Sequence, residues 1–462
     1  MSLPASVEMP AGTGKTQIVA GMAAAASARS QKTLVLTHTN AGVDAIRKRL
    51  RKFGVPNHDV HVDTITGWAF DLVRSYPALA GIEVPSAPDW ERSEEYIHGA
   101  AHVVSAEAIK SMHRASFDYL LVDEYQDCVK GQHKFICAIQ SAIPATLLIG
   151  DRLQGIFGFS GSLIDWDSDV ISVFLPHDVP VKSWRWANHN EVLGEWLLGI
   201  RSELVAGGSL DFSKVNIHGL RWLKSDIKEI CKVAYSFKTG NGSVVIIGKY
   251  DHDIIPIAER LNGKYVIMED IRGRFMHKFL DELVNSDSCD FASLLAEFAK
   301  KCFIGLSGID QPVMRKLKAG NIAANLKRDE IKEVLAVLDI INQNPSLSAV
   351  EDAMIKIGDC KALRLYRREA WWDTQRSIAS VVADSSLSGT DALARVRDRV
   401  RHAGRLPQSR VISRTVLIKG LEYDHAIVVN AETLDQRDLY VALTRARKTV
   451  TVFSKSSLLR FK

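Results

Sequence analysis

The sequence predicts an α/β protein built on parallel sheets with helices on both faces. Short apolar, β-branched runs recur along the chain; they are apolar throughout rather than at alternate positions; and helical stretches separate them. A strand with one wet face alternates apolar and polar residues, whereas a strand covered on both faces does not. Turn or polar residues bound each run, which suits strands better than pieces of buried helix.

The runs are KTLVLTH (Lys32 to His38), FDYLLVDE (Phe117 to Glu124), ATLLIGD (Ala145 to Asp151), GSVVIIG (Gly242 to Gly248), HAIVVNA (His425 to Ala431) and TVTVFS (Thr449 to Ser454). They fall into two blocks, residues 1–180 and residues 181–250 with 405–462, as a chain of 462 residues allows. Residues 251–404 carry helical patterns such as DFASLLAEFAKKCF and LKRDEIKEVLAVLDIINQ. They are expected to form a helical insertion that splits the second block. A smaller insertion is expected at 68–116 in the first.

Composition narrows the class. With 46% hydrophobic and 24% charged residues the chain is neither disordered nor fibrous, and its net charge of +5 mildly favours a polyanionic partner. Six scattered cysteines form no C-x-x-C pair, which argues against a disulfide framework or zinc site and for a reduced, cytoplasmic setting. No run approaches the ~18 apolar residues that a membrane span needs, so no membrane association is expected.

MPAGTGKTQ (Met9 to Gln17) fits a phosphate-cradling loop, although Met9 stands where the strict pattern has its first glycine. Ala11, Gly12, Thr13 and Gly14 can turn their backbone N–H groups toward phosphate oxygens, and the following helix adds the positive end of its dipole. Lys15 supplies a charge for the β/γ-phosphates, and the Thr16 hydroxyl can ligate magnesium. Downstream, LLVDEYQD (Leu120 to Asp127) ends an apolar strand in two carboxylates, at the edge where α/β sheets bind ligands. Asp123 can hold the magnesium and Glu124 can polarise an attacking water. Loop and acidic pair together predict a hydrolase of ATP or GTP.

With DEYQD added to the loop, the chain resembles the UvrD/Rep-type superfamily 1 helicases. LTHTNAGVDAIRKRL, DTITGWAF, IGDRLQGIFGFSG, SWRWAN, KGLEYDHAIVV and LYVALTRARK resemble successive motifs of that family in the expected order. The resemblance covers residues 9–188 and 410–455 well and 189–409 hardly at all. It implies two RecA-like P-loop domains with mostly helical insertions, ATP with Mg2+ as cofactors, and single-stranded or tailed duplex DNA as partner. It also implies roles. Gln154 would sense the γ-phosphate, and Arg185 and Arg445 would act as arginine fingers from the second block. Trp184 would stack on adenine, while Gly420 and Glu422 would approach the nucleotide. Thr37, Thr39 and Asn40 would contact DNA phosphates, His38, Phe157 and Phe159 would stack on bases, and Thr64 and Trp68 are further candidates for DNA contact.

The function expected on this basis is a single-stranded-DNA translocase or helicase of 3′ to 5′ polarity. The short insertions raise a second expectation, a DNA-stimulated ATPase subunit that controls a partner nuclease, as in anti-phage systems such as Gabija.

Overall fold

A computed structural model describes residues 2–461 apart from 86–88, 90–91, 158–161, 239, 241, 271–272, 327 and 404–407. Strands β1 (Ala5–Glu8), β2 (Thr33–Thr37), β3 (Val60–Thr64), β4 (Tyr119–Val122), β5 (Thr146–Gly150) and β6 (Leu175–Pro176) form one sheet. Its order is β3-β2-β4-β5-β1-β6, and every pairing is parallel. A short strand, β7 (Ser209–Asp211), pairs antiparallel with the last, β16 (Leu458–Arg460). Between them run β8 (Leu220–Lys224), β9 (Val244–Gly248) and β10 (Val266–Ile267), then an antiparallel ribbon of β11 (Phe303–Ile304) and β12 (Arg364–Leu365). After these come β13 (Arg410–Arg414), β14 (Tyr423–Val428) and β15 (Ala446–Ser454). The second large sheet has the order β10-β13-β9-β14-β15-β8, again wholly parallel.

Each of the six apolar runs contains a strand of one of these two sheets. The fold is the α/β class that the sequence predicts, with two RecA-like parallel sheets. β2, β5 and β9 are buried at every residue, which is why their sequences carry no alternation. The strands that the pattern misses have local reasons. β3 is an edge strand and alternates buried Val60 and Val62 with exposed His61. β1 has only four residues, and β13 begins and ends on arginine.

Helices cover both faces because each presents an apolar stripe. In the helix Asn40–Lys52 it is Val43, Ile46 and Leu50, and Thr39 caps the start by accepting from the Gly42 N–H. The helices Ile65–Ser75 and Ser93–Ser105 bury Phe70, Val73, Tyr96 and Val103 in one core with Leu34, Leu36 and Val122 of the first sheet.

The second sheet reaches past residue 250, where the sequence pattern set the start of the helical insertion. The helix Asp251–Arg260 packs Ile254 and Ile257 against it, and β10 pairs with β13. A two-residue strand leaves no periodic signal. The insertion proper has its own core, in which the Phe279 and Phe298 rings stack at 4.2 Å beside Trp371.

Candidate active site

β1 delivers the chain into the phosphate loop at the carboxyl edge of the first sheet. Gly12 and Gly14 adopt φ of 73° and 91°, which L side chains resist. A Cβ on Gly12 would also lie 2.6 Å from the Trp186 ring. Met9 is buried in one core with Val19, Val35 and Ile149, so an apolar residue suits that position. The Lys15 ammonium donates to the carbonyls of Met9 (3.0 Å) and Pro10 (3.4 Å), and the Thr13 hydroxyl donates to Pro10 at 2.7 Å.

The strand order matters to the chemistry. β5 lies between β1 and β4, so its exit loop, Asp151 to Gln154, sits between the phosphate loop and the acidic pair. Asp123 is buried and hydrogen-bonded by the Thr16 hydroxyl. Burial and the neighbouring Glu124 push its carboxyl up to about 7. Burial alone would raise Glu124 too, but Lys15 and Lys419 beside it bring it down to about 2. Glu124 takes φ 56° and accepts a hydrogen bond from the Gln126 amide, while Gln126 accepts from the Asp151 N–H at 2.8 Å. Thr16 and Asp123 offer hard oxygen ligands, and the crowding of the Asp123 and Glu124 carboxylates is what a divalent cation would relieve. These residues therefore fit magnesium.

The second block closes over this edge. Arg445 is fully buried and donates to the Gln154 side-chain oxygen at 3.4 Å and to the Leu421 carbonyl at 3.2 Å. Burial and the nearby Arg185 lower its pKa to about 9, so it stays protonated at neutral pH. Arg185 pairs with Glu422 at 2.8 Å and donates to the Thr444 carbonyl at 2.6 Å, and its backbone N–H donates to the Gly12 carbonyl at 3.1 Å. Trp184 is 61% exposed beside Gly14, with the Lys182 ammonium 4.6 Å from its ring. Trp186, two residues on, is buried against the loop and donates to the Ala446 carbonyl. Gly420 turns the chain at φ 81°, and Lys419 before it crosses to the first block, donating to Asp127 and to the Gln154 carbonyl. Lys15, Thr16, Asp123, Glu124, Gln154, Arg185 and Arg445 thus gather where the two blocks meet.

The expected DNA contacts are less uniform. Thr39 is exposed and Asn40 half-buried, both at the start of a helix, whereas Thr37 is buried beneath that helix. Thr64 caps the next helix by accepting from the Gly67 N–H. His38 is half-buried, with Nε2 at 3.3 Å from the Cys128 sulfur, and burial with Lys419 nearby lowers its pKa to about 3. Trp68 is half-buried, with its ring against His61, His113 and Phe117 at centroid distances of 5.0, 5.9 and 6.1 Å. Phe157 is half-buried with the Lys419 ammonium 4.8 Å from its ring, and Phe159 lies outside the described residues.

Residues 93–168, which hold the acidic pair and Gln154, match the family model of the UvrD/REP helicase N-terminal domain. That match supports the UvrD-like helicase family. No curated protein matches the chain. Among the described residues no helix is long and apolar enough to cross a membrane.

Sequence reasoning passed over several residues around these groups. Gln126, Lys419 and Tyr440 stand inside the strings that carry the resemblance but received no role. Glu8 and Arg201 lie outside every motif, and nothing in the sequence marks them.

Proposed function

We propose that this chain hydrolyses ATP in the cleft between its two sheets and uses the cycle to move 3′ to 5′ along single-stranded DNA, separating duplexes as it goes. The observation that carries this reading is the shared cleft. Arg445 and Arg185 come from the second block, and Lys15, Asp123, Glu124 and Gln154 from the first. A nucleotide held by both would draw the blocks together, and its hydrolysis would release them.

In the reaction, water attacks the γ-phosphorus as the bond to the β–γ bridging oxygen breaks, giving ADP and phosphate. The phosphate-loop N–H groups and Lys15 bind the β- and γ-phosphates, Glu124 accepts the proton from the attacking water, and Gln154 orients that water. Arg185 and Arg445 offset the negative charge that builds on the transferring group. Thr16 and Asp123 would hold magnesium, whose charge supplies Lewis-acid stabilisation of the phosphate oxygens. Trp184, exposed beside the loop, would stack on the base. Thr39, Asn40 and Phe157 would grip the single strand, as the resemblance implies.

The small first insertion favours a second reading, in which the DNA-stimulated ATPase governs a partner nuclease and does not unwind alone. One experiment tests both: phosphate release by the purified chain with and without single-stranded DNA, followed by unwinding of 3′- and 5′-tailed duplexes. Hydrolysis unaffected by DNA removes the motor reading. Stimulated hydrolysis without strand separation favours the regulatory one.

A further inference from the structure

A charged network lies on the far side of Gln154 from Arg445, and the reaction scheme above leaves it unused. Arg201 opens the helix Arg201–Val205, shortly after the chain enters the second block. Its guanidinium donates to Asp151 Oδ1 (2.7 Å), Glu8 Oε1 (2.7 Å) and the Tyr440 hydroxyl (2.8 Å). Asp151 is fully buried, and its other oxygen accepts from the Gln154 side-chain amide at 2.7 Å. The Asp151 N–H donates to Gln126, which donates in turn to Glu124. Tyr440 accepts from the Ala11 N–H at 3.1 Å, inside the phosphate loop, and its ring lies 5.1 Å from the Arg201 guanidinium. Glu8 is also held by Arg152 at 2.8 Å.

Arg201 therefore holds Asp151, and Asp151 bonds both to Gln154 and to the amide that holds Glu124. A rigid fork with several fixed donors suits this task, because it meets two carboxylates and a hydroxyl from one position. Buried pairs of this kind add little net stability but define geometry. We propose that Arg201 is a positioning residue for hydrolysis: through Asp151 it sets Gln154 and Glu124, and with Tyr440 it ties the phosphate loop to the second block.

The inference rests on the ATPase reading, so hydrolysis by the parent chain and its loss in Lys15→Ala are measured first; failure there removes the reading itself. Given an active parent, Arg201→Met is expected to lower kcat by about 10- to 100-fold while KM for ATP stays within about threefold, since misplaced groups slow the chemistry more than binding. Because part of the Arg201 effect runs through Gln154, the double variant Arg201→Met/Gln154→Ala should lose clearly less than the product of the two single losses. Tyr440→Phe, which keeps the ring and loses two hydrogen bonds, provides a variant that retains the packing and should lower kcat by about threefold or more. The proposal is overturned if kcat is unchanged in either variant, or if the Arg201 and Gln154 losses multiply in the double variant.

Discussion

Both large sheets run a strand into a helix at their carboxyl edge, and the two junctions are built differently. β1 leads through Met9 to Gly14, with glycines at φ 73° and 91°, into the helix that begins at Lys15. β9 leads through only Lys249 and Tyr250 into the helix Asp251–Arg260, whose Asp253 carboxylate accepts the Tyr250 N–H at 3.0 Å. Each junction carries a lysine. Lys15 leans on carbonyl oxygens, weak partners that a phosphate can outcompete, whereas Lys249 is held by the carboxylates of Asp435 (3.1 Å) and Asp438 (2.9 Å). On the proposed function, the parallel sheet alone would not make a phosphate site; the length of the junction and the strength of the lysine's partners would.

Substituting the two lysines tests that contrast most sharply. Lys15→Ala should reduce phosphate release by on the order of a thousandfold, as loss of a charge facing the transferring group does. Arg445→Ala should cost about as much in kcat or somewhat less, with nucleotide binding, followed by fluorescent ATP analogue titration, largely kept. Retained turnover in Arg445→Ala would mean that the second block contributes structure only. Phe157→Ala should weaken single-strand binding by about 1–3 kcal/mol, read as a rise in the DNA concentration that gives half-maximal stimulation, with basal hydrolysis unchanged. Lys249→Ala should have the smallest effect, hydrolysis within about twofold and a stability loss of roughly 1 kcal/mol or less in thermal melts. A large hydrolysis defect there would break the contrast.

What the sequence makes legible follows from range. Gly12 through Thr16 and Asp123 with Glu124 are local patterns, so their chemistry can be read without a fold. Gln154, Arg185 and Arg445 gain meaning only through a resemblance, because the side chains they meet lie far along the chain. Glu8 and Arg201 are invisible to both approaches: they meet only once the chain has folded across a separation of 193 positions. Trp68 occupies a motif position, and a motif string carries no record that His61, His113 and Phe117 surround its ring. The short strands β1 and β10 escape detection because a period needs length to be seen.

The order of strands in the second sheet also sets a timetable for synthesis. β9 is flanked by β13 and β14, and both lie beyond the helical insertion. The first sheet can assemble as soon as β6 leaves the ribosome, while β9 emerges with neither neighbour made. Until β13 and β14 arrive, an entirely apolar strand, Val-Val-Ile-Ile-Gly, has two open edges. The nascent chain thus passes through a stage in which the half that carries the glycine-rich loop is finished and the other half is at its most prone to aggregate.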